Sequence, residues 1–590
     1  DAGFAGDEFI EAPHIDALAA QGMRFATAYA THPFCSPTRQ SLISGQWPAR
    51  TAWSRRSELA NPDAPRGAPP YAAAGAAAWT GLRSAFTSLP EALQAAGYAT
   101  AHIGKWHYGE VAGDITPESE GFQRSFGGAQ RVGAVQSFFA PYPGLPGDVA
   151  APPGEYLTDR LTDEAIAFIR QQQAGPFYLQ LSHYAPHTPI QAPQPMVEKY
   201  REKKRALNDP RLNPTYAAML DVVDQGVGRI VRTLQELAIA DNTVIFFTSD
   251  NGGVELFGSL TVTSMVPLRG EKGLSYEGGV RVPLFVHWPG VTVGGEVPEP
   301  VNLIDFFPTI LELAGVTPPA GQPVDGVSLV PLLRGAVMPE LRDRPHFWYN
   351  VTSGLTARAE PFQPVAAVRR GNWRLLKPFG QPLQLYDLSA DPGESRNLAA
   401  QHPAVAQVLE KALDDWLEDT GVAIPTVNPL YQPNYVIPKQ VESLPPGAVL
   451  LREWKLHLRE SGWRAAREVE LAFVRGALRM QARGLYPEIA SASLDGLPAG
   501  RYAVQLDLRV ATAGRVRLRW DGSKEPGNIE LFPRRDGRCH TLTSVFDAQE
   551  PLRGLRVAAP THLLESGQYD PATQPDWIDL GAVRLFSLPP

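Results

Sequence analysis

The stretch "THPFCSPTRQSLISGQWPAR" holds Cys35, one of only two cysteines in 590 residues. A helical run, "RQSLISG", follows it, so Cys35 stands near a helix N-terminus, where developing negative charge is favoured. Taken alone, it is equally well a buried and inert thiol. Four other stretches carry groups that could act with it. "GYATAHIGKWHYG" places Lys105 and His107 two apart at the end of a strand. Residues two apart on a strand share a face, and an ammonium beside an imidazole suits an oxyanion and proton transfer. "SHYAPHTP" sets His183 and His187 after an apolar run, with prolines fixing the turn. His187 falls in the loop, where function concentrates; His183 lies nearer the strand, where packing is the plainer use. "FFTSDNGG" ends an apolar strand with Asp250 and Asn251, two oxygen donors for a hard cation, although Asp-Asn-Gly-Gly is also ordinary turn chemistry. "PLRGEKGLSYEGGVRVP" gathers Arg269, Lys272, Glu277 and Arg281 in a Gly-rich loop that reads most simply as solvated.

These groups need elements to hold them. Up to about Asp419 the chain alternates helical and continuous apolar patterns. In "TSLPEALQAAGYATAHIG", Ser88 and Glu91 have the spacing of a capping box and Gly97 can stop the helix. "EYLTDRLTDEAIAFIRQQQ" and "YAAMLDVVDQGVGRIVRTLQEL" read as amphipathic helices, each feeding an apolar strand, "FYLQLSHY" and then "NTVIFF". Apolar strands between helices predict a doubly wound, mainly parallel α/β sheet covered on both faces, with its site at the strand C-terminal ends. The expected boundaries are 1–340 for this α/β part and 341–425 for a small α+β part with antiparallel strands. A Pro-rich linker over 426–446 and a β-sandwich over 447–590 follow. In the sandwich region, Tyr502, Val504, Leu506, Leu508 and Val510 alternate onto one face.

Composition narrows the function classes. The net charge of -8 supplies no global basic field for nucleic acid. No apolar run reaches the roughly 18 residues of a membrane span. Hydrophobic residues at 44% and charged residues at 20% are ordinary for a globular chain.

Together the five stretches resemble the sulfatase family of the alkaline-phosphatase-like superfamily. The matching residues are Cys35-Ser36-Pro37-Thr38-Arg39; Gly104-Lys105-Trp106-His107; Ala185-Pro186-His187; Ser249-Asp250-Asn251-Gly252; and Arg269 to Gly273 with Glu277-Gly278-Gly279. The stretches "LYDLSADPGESRNLA" and "DGVSLVPLLRG" add to it, and the likeness covers roughly residues 1 to 419.

The resemblance implies that a maturation enzyme reads the C-x-P-x-R signal and oxidises Cys35 to formylglycine. One hydroxyl of the hydrated aldehyde attacks sulfur, and the other expels sulfate by re-forming the carbonyl. It also implies a divalent cation, Ca²⁺ with Mg²⁺ as runner-up, held by Asp1, Asp250, Asn251 and the modified Cys35. Asp250 is also placed to take the diol proton. Asp1 matches the second of the family's adjacent Asp pair; the first, with an apolar strand, is expected upstream. Arg39 would hold the modified residue, while Lys105 and Lys272 bind sulfate oxygens. His187 would protonate the leaving alcohol, and His107 would take the proton when the covalent sulfate collapses. A sulfated carbohydrate is the expected substrate, and the family implies a periplasmic or secreted setting. A phosphonate monoester or phosphodiester hydrolase using the same nucleophile is the alternative. A non-catalytic glycan-binding relative is disfavoured by the full complement of Cys35, Arg39, Lys105, His107, His187 and Lys272.

Overall fold

The computed structural model describes residues 3–51, 71–73, 86–108, 115–128, 134–142, 145, 149, 151–207, 209, 212–257, 260–351, 354–355, 361–362, 364–422 and 424–427 of the first part of the chain. Further on it describes 439–441, 444, 448–455, 463–467, 469–474, 477–482, 488–491, 494, 497–510, 516–521, 527–531, 540–548, 552–558 and 577–588. The chain forms two compact units, residues 1–431 and 432–590.

In the first unit the apolar runs become strands and the amphipathic runs the helices beside them. Ser88 caps the helix Leu89–Ala95, with both hydrogen bonds of the capping box present. The strand Ala99–Gly104 follows and pairs in parallel with Arg124–Phe126 and Phe177–Ser182. The helices Leu157–Gln172 and Pro214–Glu236 pack together and contribute Leu161, Ala165, Phe168, Met219 and Val222 to the main core.

The expectation of a mainly parallel sheet holds only in part. A second, four-stranded sheet runs in the order Gly295–Val297, Met23–Phe25, Leu284–His287, Ile245–Thr248. Leu284–His287 is antiparallel to both its neighbours, so the architecture is α/β with mixed sheets. The connection from Ile245–Thr248 is long and carries the loop 269–279 and the short helix Glu277–Val280, so its length does not fix the direction of the strand it feeds.

Phe177–Ser182 and Ile245–Thr248 are each the last strand of their sheet. Both line one cavity of about 1940 Å³. Their apolar side chains, among them Leu179, Leu181, Ile245 and Phe247, are therefore only partly buried.

A further four-stranded sheet of the first unit is antiparallel throughout. The strands His346–Asn350, Val365–Arg370, Trp373–Pro378 and Gln384–Asp387 pair in that order. The helix Pro403–Thr420 covers them, packing Leu409, Leu413 and Trp416 against Phe347 and Leu375.

The second unit contains a seven-stranded and a five-stranded antiparallel sheet. Tyr502, Val504, Leu506 and Leu508 of one share a buried core with Leu518, Trp520 and Val557 of the other. The alternation along "RYAVQLDLRV" is thus the core face of the strand Gly500–Val510. Of the stretch read as a linker, Lys439–Val441 pairs with His540–Ala548 in this unit, and Pro425–Val427 pairs with Tyr71–Ala73 in the first. Among the described residues, no helix is long and apolar enough to cross a membrane.

Candidate active site

Several of the predicted groups stand at the ends of elements. Cys35 opens the helix Cys35–Ser44, and Cys35, Ser36, Pro37, Thr38 and Arg39 are all buried in its first turns. His187 follows the strand Phe177–Ser182 and Asp250 follows Ile245–Thr248, both at strand C-terminal ends.

Lys105 and His107 correct the reading made from strand periodicity. The strand stops at Gly104, and the two side chains lie in the loop beyond it. Gly104 has φ +95, and a Cβ there would stand 2.0 Å from the Ser182 carbonyl oxygen. Only glycine fits both the turn and that close approach. His107 is itself left-handed, with φ 54. A non-glycine residue in that region costs about 1–3 kcal/mol and persists where the surroundings over-determine it. The chain thus leaves the sheet in a sharp, strained turn, and this turn rather than the strand period aims the two groups. Gly104→Ala is accordingly expected to lower the melting temperature, with a loss of about 1–3 kcal/mol from backbone strain alone. A variant that melts like wild type would contradict this reading of the turn.

The groups converge on Cys35. Lys105 Nζ lies 3.2 Å from Cys35 Sγ. Arg39 reaches across to Asp250, donating through Nε at 2.8 Å and pairing through Nη2 at 2.7 Å, both to Oδ2. Arg39 Nη1 also donates to the Lys105 carbonyl at 2.7 Å. Tyr108, stacked on Trp106, donates its hydroxyl to the Arg39 carbonyl. The helix bearing Cys35 and the loop bearing Lys105 and His107 are therefore tied twice, with Asp250 tied to the same guanidinium.

Lys272 arrives from the loop after Pro267. Its N–H donates to the Gly253 carbonyl at 2.8 Å, and that of Gly273 to the Pro33 carbonyl at 2.9 Å. The tip of this loop therefore rests on the segments carrying Asn251 and Cys35. The loop is not the solvated one its charges predict: Glu271 and Glu277 are buried. Glu277 pairs with the fully buried Arg374 and accepts from Tyr29 Oη at 2.9 Å. Composition alone could not reveal this, because the partners lie far along the chain.

Charge fixes the protonation states. Burial opposes ionisation of the Cys35 thiol, yet the ammonium groups of Lys105 and Lys272 bring it well below its ordinary value. Burial likewise opposes the Asp250 carboxylate, and Arg39, Lys105 and Lys272 hold it ionised, well below the usual range. Burial, then Lys272 and Lys105, keep the His187 ring neutral. Its Nδ1 lies 3.1 Å from the Thr188 carbonyl and 3.2 Å from the Thr188 hydroxyl; with the proton on Nδ1 the carbonyl accepts it and Nε2 is the free ring nitrogen. Burial also lowers His107, against an opposing contact with Cys35. His183 is pushed down to about 4 by burial alone, as befits a packed ring.

A cation has partial support in the donor set. Asn251 Oδ1 is buried without a hydrogen-bond partner. Beside it, Asp250 has Oδ2 engaged by Arg39. An orphaned carbonyl oxygen next to an ionised carboxylate fits a hard divalent ion. Asp1 lies outside the described residues, and among the described residues no group of three His, Cys, Asp or Glu side chains gathers as a metal site. His102 carries little signal in the sequence. Its ring is fully buried on the strand Ala99–Gly104 against Trp106, held neutral by burial and the Arg39 charge; its only sequence signal was a polar residue in an apolar strand.

Comparison with known proteins decides the family. The sulfatase family model matches residues 1–316, and the model of the N-sulphoglucosamine sulphohydrolase C-terminal region matches 270–420. The chain belongs to the sulfatase family. Among relatives, it is 32% identical over 373 residues to N-acetylgalactosamine-6-sulfatase of Homo sapiens, covering 59% of this chain and 66% of that protein. The match thus spans just under two thirds of that relative's length. A sulfatase of Formosa agariphila is 31% identical over 477 residues, covering 69% of this chain and 82% of the relative. Among solved structures, Ps i-CgsB in complex with k-i-k-neocarrahexaose superimposes with a TM-score of 0.58 at 27% identity, covering 71% of this chain and 90% of that one. The sulfatase match ends before the second unit, whose residues 432–590 lie beyond both family models.

Proposed function

We propose that this sulfatase hydrolyses sulfuric esters of a sulfated carbohydrate, with a formylglycine made from Cys35 as nucleophile. The carrying observation is the convergence at Cys35: Lys105 Nζ at 3.2 Å from Sγ, with the Arg39–Asp250 pair behind. Sγ marks where the attacking oxygen of the modified residue would stand. All five signal residues are buried in the folded chain, so the maturation enzyme would read them before folding.

The chain's own groups then divide the work. Lys105 and Lys272 neutralise the sulfate oxygens as charge builds in the transition state. Arg39 holds Asp250 ionised and oriented, ready to take the proton of the attacking hydroxyl. His187 donates to the leaving oxygen through Nε2. In the free protein burial first, and then the two lysines, keep that ring neutral; a bound sulfate offsets the lysines' part and so favours its protonation. His107, held against Cys35 by its left-handed backbone, takes the proton when sulfate is released.

Asp250, Asn251, the modified Cys35 and Asp1 would hold a divalent cation. All four donors are oxygens, which favours Ca²⁺ over Mg²⁺. When bound, the ion polarises the S–O bonds and lowers the proton affinity of the nucleophile. Chelation is therefore expected to lower sulfate release at least about tenfold, because the charge stabilisation at stake is several kcal/mol. Adding Ca²⁺ or Mg²⁺ should restore it, and Asp250→Ala should not be restored. Unchanged turnover in protein shown by mass spectrometry to be metal-free would rule the cation out.

A carbohydrate substrate is supported by the names of the relatives and by the sugar ligand of the matched complex. We assign residues 1–340 and 341–425 together to the catalytic unit. The two antiparallel sheets that share a core we read as a β-sandwich accessory module. Release of inorganic sulfate from a panel of sulfated oligosaccharides, beside an aryl phosphodiester, tests the reading. Turnover of the phosphodiester alone would favour the alternative hydrolase.

A further inference from the structure

The loop 269–279, which delivers Lys272, is held at its neck by one acid from the antiparallel part of the first unit. Glu394 is fully buried and left-handed, with φ 49. Its Oε2 accepts the N–H of Glu277 at 2.7 Å, and its backbone carbonyl accepts from Arg269 Nη1 at 2.9 Å. One residue thus grips both ends of the loop, which also closes on itself through Gly278 N–H to the Arg269 carbonyl at 2.7 Å. Arg374 completes the grip. It donates through Nη2 to the Ser275 carbonyl at 2.6 Å, and its Nε stands 3.3 Å from Glu394 Oε1. That last contact is too poorly aligned for a hydrogen bond; burial pushes the Glu394 carboxyl up to about 7, and the Arg374 charge opposes that rise.

A carboxylate taken out of water and held in left-handed backbone costs stability on both counts. An apolar residue would avoid the desolvation cost, though not the backbone one, and would leave the Glu277 N–H without this acceptor. What Glu394 supplies is a fixed geometry at the neck while the tip, at Lys272 and Gly273, rests on Gly253 and Pro33. We propose that Glu394 is a positioning residue for Lys272, setting the height at which its ammonium meets the sulfate oxygens. The inference rests on reading Lys272 as a sulfate-binding group.

The test is a double-mutant cycle on nitrophenyl sulfate with Glu394→Ala, Lys272→Ala and the pair. Lys272→Ala is expected to lower kcat/KM about 10²–10³-fold, as loss of one charge-stabilising donor does. Glu394→Ala should lower it about tenfold alone and less than about twofold in the Lys272→Ala background, because residues acting through one group are not additive. If Glu394→Ala does not fold, Glu394→Gln keeps the acceptor for Glu277 and removes only the charge facing Arg374. It should lose less, and again nothing once Lys272 is gone. Losses that multiply would overturn the proposal. So would a lowered melting temperature with wild-type kcat/KM, the mark of a purely structural residue. If wild type released no sulfate, the hydrolase reading would fail by itself. Calorimetric affinity for inorganic sulfate would then decide: Glu394→Ala should weaken it in wild type and not in Lys272→Ala.

Discussion

Replacing Cys35 with alanine is expected to abolish sulfate release while leaving the fold intact. The side chain supplies the attacking oxygen once oxidised, and no neighbour can substitute. Lys105 and Lys272 are cations, and Asp250 is held by Arg39. The deletion removes one buried sulfur at the head of a helix fixed elsewhere by Thr38, Arg39 and Ser41, so the melting temperature should change little. Cys35→Ser is the finer variant. Its hydroxyl can be sulfated once, but a serine sulfate has no carbonyl to re-form and no route of expulsion. A single burst, with sulfate retained on the residue 35 peptide, is the expected outcome. Steady turnover by either variant would remove the mechanism.

Loss of His187 is expected to depend on the leaving group. A sugar alkoxide is a poor leaving group and needs a proton as the S–O bond breaks, whereas a nitrophenolate leaves without one. General acid catalysis contributes about 10²–10⁴-fold. His187→Ala should therefore cost about that much on a sulfated oligosaccharide and far less on nitrophenyl sulfate. His107→Ala should act later, trapping sulfated protein with both substrates. If His187 only held the ester oxygen, both substrates would lose similar factors. Equal losses would sink the acid role and leave the sulfatase reading standing.

Much of this site was legible because its chemistry is written in short, local signals. A cysteine before a helix, an Asp-Asn pair ending an apolar strand and a histidine between prolines keep their meaning wherever the sheets place them. What failed was inference from regular periodicity at places where the backbone is irregular. Lys105 and His107 come together because Gly104 and His107 leave the sheet in left-handed turns, not because they share a strand face. The charged loop after Pro267 looked solvated because Arg374 and Glu394, its partners, lie about a hundred residues on. The antiparallel course of Leu284–His287 was hidden for a related reason: a short apolar run looks the same in either direction.

The central claim is that the working nucleophile is an aldehyde made from Cys35. It is tested most directly by mass analysis of the peptide containing Cys35, from protein produced with a formylglycine-generating enzyme and assayed for sulfate release. The account predicts a peptide that has lost H₂S and gained one oxygen, with specific activity rising in proportion to the converted fraction. Full activity in protein whose residue 35 is wholly an unmodified thiol would contradict it.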